Sequence, residues 1–426
     1  MGKVKKNILL LSTGDVNGAY EAIYRLAKLY SEEGHQVAML VKNKTKSDPF
    51  IIKYKPILKN KYISSLQKIV KSQLRKYNKV DPNYHFISDD EQTKNIDPAH
   101  LLNQIGFIPE ITFVGMTDKF MNSTDIVNIQ QLTKSKVYTI AVDMNHFTGG
   151  CHYAWDCKGY VSGCSTNCPA ILDAKNKGLA KLNFETKFHN AKKGNFQIIS
   201  MSEWTLNQAK NSKIYKDQIE FKNINSIIDV DQFNPNKRNI AKQVFDFDED
   251  KFYILCGSQN LKSKRKGFQY FMEALKILEN NLTEEQKNKI VILNVSRETQ
   301  SELSDLTFEM KNIDYINDYR LLSLLYQAVE VFVNPSIEDS GPMMVSEALA
   351  CGTPVVGFDM GIVTNMVIDN YNGYRASLKD SEDLAFGIKK IFELSKSEYQ
   401  SYSNNSYKSV SENSSLNSIL KLNLLQ

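Results

Sequence analysis

The sequence predicts an α/β protein made of two halves, each built on its own parallel sheet. Three observations carry this expectation. The first 45 residues form a strand–loop–helix–strand unit, and a second series of apolar runs begins near Lys251. Between the two, around Lys216–Asn236, the chain turns polar and irregular, as a join between domains does. A length of 426 residues suits two or three domains.

Each element follows from local pattern. Asn7–Ser12 (NILLLS) is a continuous apolar run, as expected for a strand buried on both faces. TGDVNG, Thr13–Gly18, is a turn-rich loop. Ala22, Ile23, Leu26, Ala27 and Tyr30 then recur at helical spacing, Gly34 ends the helix, and QVAMLV supplies the next strand. Such a right-handed βαβ unit opens a parallel sheet. Further strands are expected at Ile111–Gly115, Val137–Val142 and Gln197–Ser200. In the second half, FYILCGS, IVILNV, VEVFVNPS and TPVVGFD read as strands. KGFQYFMEALKIL, YRLLSLLYQAV and MMVSEALA read as the helices between them. The tail after Ser395 is rich in Ser, Asn and Lys and reads either as a frayed end or as a docked final helix. Leu416, Ile419, Leu420 and Leu424 at helical spacing favour the second reading. Cys256 and Cys351 stand alone and are expected to be packing residues.

Several classes are set aside. The run Ile8–Leu11 falls short of the roughly 7–15 apolar residues of a secretory core. Lys6 stands where a myristoylation signal needs Ser or Thr. No stretch approaches the ~20 apolar residues of a membrane span, so a cytoplasmic protein is expected. The net charge of +5 is too mild to argue for nucleic acid. Its distribution is uneven, for Lys53, Lys55, Lys59, Lys61, Lys68, Lys71, Arg75, Lys76 and Lys79 lie in a stretch with no acidic residue.

The richest segment is Val333 to Gly361. A strand ends at Asn334-Pro335-Ser336, an acidic loop Glu338-Asp339-Ser340-Gly341 follows, and a helix runs from about Pro342 to Ala350. Pro342 fits the first helical turn, where its missing N–H costs nothing. Open backbone amides at such a helix start suit an anion such as a pyrophosphate. Asp339 and Glu347 are about two helical turns apart, which would let both carboxylates face one cleft at the carboxyl edge of the sheet. The same spacing also fits a Glu347 that caps a loop and an Asp339 solvated in a turn.

This segment resembles the signature of the family 4 retaining glycosyltransferases, PSxxE…E-A-x-A-C-G-x-P-V, whose two acidic residues have seven positions between them. The first acid here is Asp339, where the family usually has Glu, and Glu338 sits one residue out of register. The resemblance implies that Asp339 or Glu338 contacts hydroxyls of the donor sugar and that Glu347 binds the ribose of the nucleotide. Lys264-Arg265-Lys266-Gly267-Phe268 looks like the family's R-K-G element, so Arg265 and Lys266 are implied to hold the donor diphosphate. Fixed cations would stabilise the negative charge that develops on such a leaving group. Gly257, Ser340, Gly341, Pro342 and Met343 complete the implied donor site, with Gly18 in the first glycine loop. The family often has Arg after the glycine that ends this strand, and here Ser258 follows Gly257. Ser202-Glu203-Trp204 and Asp229–Pro235 match further landmarks. No catalytic metal is expected.

The block Asp143–Leu172 resembles one in a bacterial subgroup that builds surface polysaccharides, reading T-G-G-C-H-Y. His146 stands here in place of the subgroup's Pro. Asp143 and His152 are the candidates for the acceptor side, and His152 also reads as a member of the cysteine group. Cys151, Cys157, Cys164 and Cys168 are spaced as ligands of one structural zinc, as reduced packing thiols, or for disulfide or redox use. Tyr62, Leu66, Ile69, Val70, Leu74 and Tyr77 would line one face of a basic helix within 53–79. That helix reads as one lying on an anionic membrane surface, where a lipid-linked acceptor resides, or as a solvated helix of its own domain.

The resemblance implies a GT-B fold, two Rossmann-like domains facing each other across a cleft. The expected division is an acceptor domain at 1–215 with the cysteine-rich insert 143–172, and a donor domain at 216–404. The tail 405–426 is expected to dock on the first. The expected activity moves a hexosyl or N-acetylhexosaminyl group from a UDP- or GDP-sugar to a glycan or lipid-linked acceptor. Competing readings are a non-catalytic partner that binds the nucleotide sugar, a nucleotide-sugar epimerase, and a dinucleotide-dependent oxidoreductase. The last is opposed by the lack of a strict G-x-G-x-x-G and by the basic end of the second strand, MLVKNK.

Overall fold

The computed structural model describes residues 4–16, 18–57, 79–87, 89–173, 176–258, 260, 262–296 and 306–426. The chain divides into two compact units. The first comprises Met1–Met201, Thr205–Asn223 and Asn423–Gln426, and the second comprises Ser202–Trp204 and Ile224–Leu422.

The first unit carries β1 (Asn7–Ser12), β2 (Gln36–Val41), β3 (Ile51–Lys53), β4 (Ile111–Val114), β5 (Lys136–Ala141), β6 (Gln197–Ser200) and β7 (Lys222–Asn223). Their order is β3-β2-β1-β4-β5-β6-β7, with every pairing parallel. The helix Gly18–Glu32 buries Ala22, Ile23, Leu26, Ala27 and Tyr30, the five residues of the sequence pattern. The order of the strands reverses between β1 and β4. That reversal opens a crevice at the carboxyl ends of the strands, where sheets of this type bind ligands.

The second unit carries β8 (Phe252–Gly257), β9 (Ile290–Ser296), β10 (Glu309–Asp314), β11 (Val331–Asn334), β12 (Val355–Phe358) and β13 (Gly373–Ala376). Their order, β10-β9-β8-β11-β12-β13, is again wholly parallel, and it reverses between β8 and β11. Helices Phe268–Asn280, Tyr319–Ala328 and Met343–Ala350 stand where the apolar spacing put them. The core around Tyr253, Leu255, Leu293, Tyr326, Phe332 and Val355 is closed to solvent, and Cys256 and Cys351 are buried as packing residues.

Three expectations need correction. The expected boundary at 215/216 moves to 223/224, because Lys222 and Asn223 pair with Ile199 and Ser200 and extend the first sheet. The tail 405–426 does not dock on the first unit as a whole. Helix Lys396–Asn413 packs on Met343–Ala350, burying Tyr402, Ser406 and Val410, and only Asn423–Gln426 joins the first unit. Small serines make that close packing possible, which a search for apolar periodicity passes over. Pro342 is the N-cap residue of its helix rather than its first helical residue.

Of the basic stretch, Lys53 closes β3, the Lys55 amide donates to Gln104 Oε1, and the Lys79 carbonyl accepts from the Leu172 amide. The helix face expected from Tyr62 to Tyr77 lies outside the described residues. No helix among the described residues is long and apolar enough to cross a membrane.

Candidate active site

In the second unit, the two strands that flank the reversal deliver the sequence-predicted donor residues to one place. β8 ends at Gly257, and the chain reaches Lys264–Lys266 as one turn of 3-10 helix. β11 ends at Asn334 and leads through Glu338 and Asp339 into helix Met343–Ala350. The two loops are tied by their backbones, since the Arg265 carbonyl accepts from the Ile337 amide at 2.8 Å and from the Glu338 amide at 3.3 Å. Gly267 makes this approach possible. It has φ of +63°, and a Cβ there would collide with the Pro335 carbonyl.

Arg265 Nη1 and Lys266 Nζ both donate to the same oxygen, Asp339 Oδ2, each at 2.6 Å. The three side chains are 18%, 19% and 12% exposed, so the group is mostly withdrawn from water. Burial alone would raise the Asp339 carboxyl, but Lys266 and Arg265 outweigh it and hold the acid at about 2. Burial also lowers the Lys266 ammonium below the ordinary lysine range, against the pull of Asp339. The alternative of an Asp339 solvated in a turn does not hold.

Glu347 is 4% exposed on helix Met343–Ala350 and accepts a long hydrogen bond, 3.5 Å, from the Tyr326 hydroxyl. It is a buried helix residue rather than a loop cap. Glu338 and Ser340 are also buried, while Gly341 and Met343 are half-buried. The helix has no side-chain cap, so its first turn keeps the positive end of its dipole uncompensated by a side chain. Gly257 lies close by, for a Cβ on it would stand 3.5 Å from Met344 Cε. Two neighbours escaped the sequence reading. Asn334 Nδ2 at the end of β11 and Ser346 Oγ in the helix are buried with no hydrogen-bond partner among the described residues. The signal was present at Asn334, a polar residue closing an otherwise apolar strand.

The remaining predicted residues stand in the first unit. Gly18 opens helix Gly18–Glu32 with φ of +47°. Asp143 and His152 form a buried pair, with Asp143 Oδ2 2.6 Å from His152 Nδ1 and the two residues 5% and 4% exposed. The Asn145 amide donates to Asp143 Oδ1 at 2.8 Å, and Asn145 Nδ2 lies 3.5 Å from His152 Nε2. Lys187 Nζ holds the Asn145 carbonyl at 2.7 Å and pairs with Glu91 at 3.5 Å. Burial works against a charged His152, but the Asp143 carboxylate prevails and raises its pKa. His146 lies opposite in character. Burial lowers it to about 4, and its Nε2 is 3.0 Å from the Gly115 carbonyl. A small cavity of about 40 Å³ opens beside this network, lined by Asp118, Asn145, His146 and Lys187 among others.

The reading of His152 as a member of the cysteine group is not met, since its ring bonds run to Asp143 and Asn145. Cys151, Cys157, Cys164 and Cys168 were open to structural zinc, to packing as reduced thiols, and to disulfide or redox use. All four are free, and no group of three or more His, Cys, Asp or Glu among the described residues gathers as a metal site. Cys151, Cys164 and Cys168 pack instead in an apolar cluster with Phe86, Ala170 and Ile171.

The family described as glycosyl transferases group 1 matches residues 237–409, within the second unit. An uncharacterized glycosyltransferase of Methanocaldococcus jannaschii is 26% identical over 193 residues. That match covers 43% of this chain, which spans a little under half, 46%, of the relative. A solved glycosyltransferase from Rickettsia africae superposes with a TM-score of 0.62 at 17% identity, over 99% of this chain and 98% of its own. HepE of Anabaena, solved in complex with UDP-glucose, gives 0.60 at 13% identity over 98% of each chain. Through residues 237–409 the chain is similar to the group 1 glycosyl transferases, and over its length it has the GT-B fold of two parallel-sheet α/β domains.

Proposed function

We propose that the chain is a retaining glycosyltransferase of family 4 that moves a hexosyl or N-acetylhexosaminyl group from a nucleotide diphosphate sugar to a glycan or lipid-linked acceptor in bacterial surface-polysaccharide synthesis. One observation carries the reading. Two cations converge on one carboxylate oxygen at the carboxyl edge of the second sheet, in the same loop pair as a helix without a side-chain cap. Arg265 and Lys266 would neutralise the departing diphosphate, where fixed cations act most strongly in the transition state. The amides of the helix opening at Pro342 would take further phosphate oxygens. Glu347 would bind the ribose, and Asp339 or Glu338 the sugar hydroxyls. Gly18, Gly257, Ser340, Gly341 and Met343 would complete the donor contacts. No catalytic metal is required in this scheme.

UDP is the first nucleotide to test, because the similar HepE was solved with UDP-glucose, and GDP is the second. Asp143 and His152 serve the acceptor side in this reading. The basic residues within 53–79 bring the protein to an anionic membrane surface on the cytoplasmic side.

Mass spectrometry of donor turnover across a panel of UDP- and GDP-sugars tests the proposal, with NMR of the product fixing its anomeric configuration. One donor is expected to be consumed with its configuration retained. Tight nucleotide-sugar binding without turnover of any donor would leave the non-catalytic partner in its place.

A further inference from the structure

We infer that Asp339 is a built-in stand-in for the donor diphosphate, which makes the site selective for nucleotides that carry a sugar. The inference rests on the proposed donor reading and goes beyond it. Arg265 and Lys266 spend hydrogen bonds on one oxygen of one carboxylate, Asp339 Oδ2. A diphosphate that engages these cations competes with Asp339 for their donors and draws their charge away from it. The loops themselves stay together, since the Arg265 carbonyl is bonded to the Ile337 and Glu338 amides and Gly267 packs under Pro335. The exchange therefore proceeds by side-chain rotation within a fixed frame.

The exchange has a consequence for Asp339. Its side chain is only 12% exposed, and a buried carboxylate stripped of both counter-charges is strongly disfavoured. A sugar on the nucleotide remedies this, because its hydroxyls donate hydrogen bonds to the released carboxylate. A plain nucleoside diphosphate has no such donors at that end. Neither does an alkyl ester of the diphosphate, which has the same charge as the nucleotide sugar. The site thus discriminates by hydroxyl donors as well as by charge, and the shorter Asp at this position suits an acid that reaches back to its own cations.

Calorimetric titration tests this with UDP-glucose and GDP-mannose as sugar-bearing probes, and with the methyl esters of UDP and GDP as hydroxyl-free probes of equal charge. The wild type is expected to bind the better sugar nucleotide about tenfold more tightly than its methyl ester, the scale of one charge-assisted hydrogen bond. In Asp339→Asn that gap is expected to close to within about threefold, chiefly because the ester binds more tightly. The nearly isosteric Asn keeps the fold, and Asp339→Ser repeats the test with a different side chain. A gap of unchanged size in both variants overturns the inference and leaves the donor reading standing. No binding of any of these nucleotides by the wild type overturns the donor reading and the inference with it.

Discussion

The two units share a plan and differ in what they do with charge at the reversal point of the sheet. In the first unit, acids at the carboxyl edge are satisfied by the protein's own backbone and cations. Asp15 accepts the Thr45 and Lys46 amides, and Glu21 holds Lys46 at 2.8 Å and Arg25 at 3.4 Å. His152 is likewise committed to Asp143. In the second unit, two cations share one carboxylate oxygen and the adjoining helix lacks a side-chain cap. The first edge joins its acids to backbone amides and to single cations, and the second joins two cations to one acid. In the proposed reading the same topology serves as an anion receptor in the second unit alone.

Substitution at each edge breaks or sharpens this contrast. Lys266→Ala or Arg265→Ala is expected to lower donor hydrolysis by about 10²–10³-fold, the scale of a lost charge stabiliser. His152→Ala is expected to leave donor hydrolysis within about threefold while transfer to acceptor falls. Equal losses of donor hydrolysis in both units would erase the distinction.

A smaller effect is expected from glycine. Gly267→Ala adds a Cβ against the Pro335 carbonyl at φ of +63°, and about 1–3 kcal/mol of stability is expected to be lost in denaturant unfolding. Gly18→Ala meets open space at φ of +47° and is expected to lose about 1 kcal/mol. A Gly18 loss larger than that at Gly267 would show the tightly tied loop to be in the first unit.

The smallest effect concerns pH. His152 is raised above the ordinary histidine value in the folded state. Its pairing with Asp143 therefore adds stability below the ordinary value, and this contribution fades as pH rises through the raised one. Thermal unfolding of wild type and His152→Gln is expected to converge on the alkaline side of that window. A gap that widens with pH would oppose the assigned pairing.

The elements legible in sequence were the fully buried ones. β1, β2, β8 and β9 are continuous apolar runs because both their faces are covered. The edge strands β3, β7, β10 and β13 escaped, since a sequence such as EMKNID has an exposed, mixed face and carries no strong period. Helix Lys396–Asn413 opens with a capping box of Ser395 and Glu398 that the apolar pattern passed over, and its buried face of serines hid its docking partner. At the site, spacing and resemblance named Arg265, Lys266, Asp339 and Glu347. Their mutual pairing was not legible, because it arises from a backbone contact between loops some 70 residues apart in the chain, near the ion pair's separation of 74. The cysteine spacing left zinc, packing and redox readings open, and Cys151, Cys164 and Cys168 pack with Phe86 and Ile171.

Titration of UDP and GDP into wild type, Lys266→Ala and His152→Ala, followed by calorimetry, tests the central assignment most directly. The second unit as anion receptor predicts that Lys266→Ala weakens the better nucleotide at least about tenfold, and that His152→Ala binds like wild type. Weakened binding in His152→Ala together with unaltered binding in Lys266→Ala would contradict it.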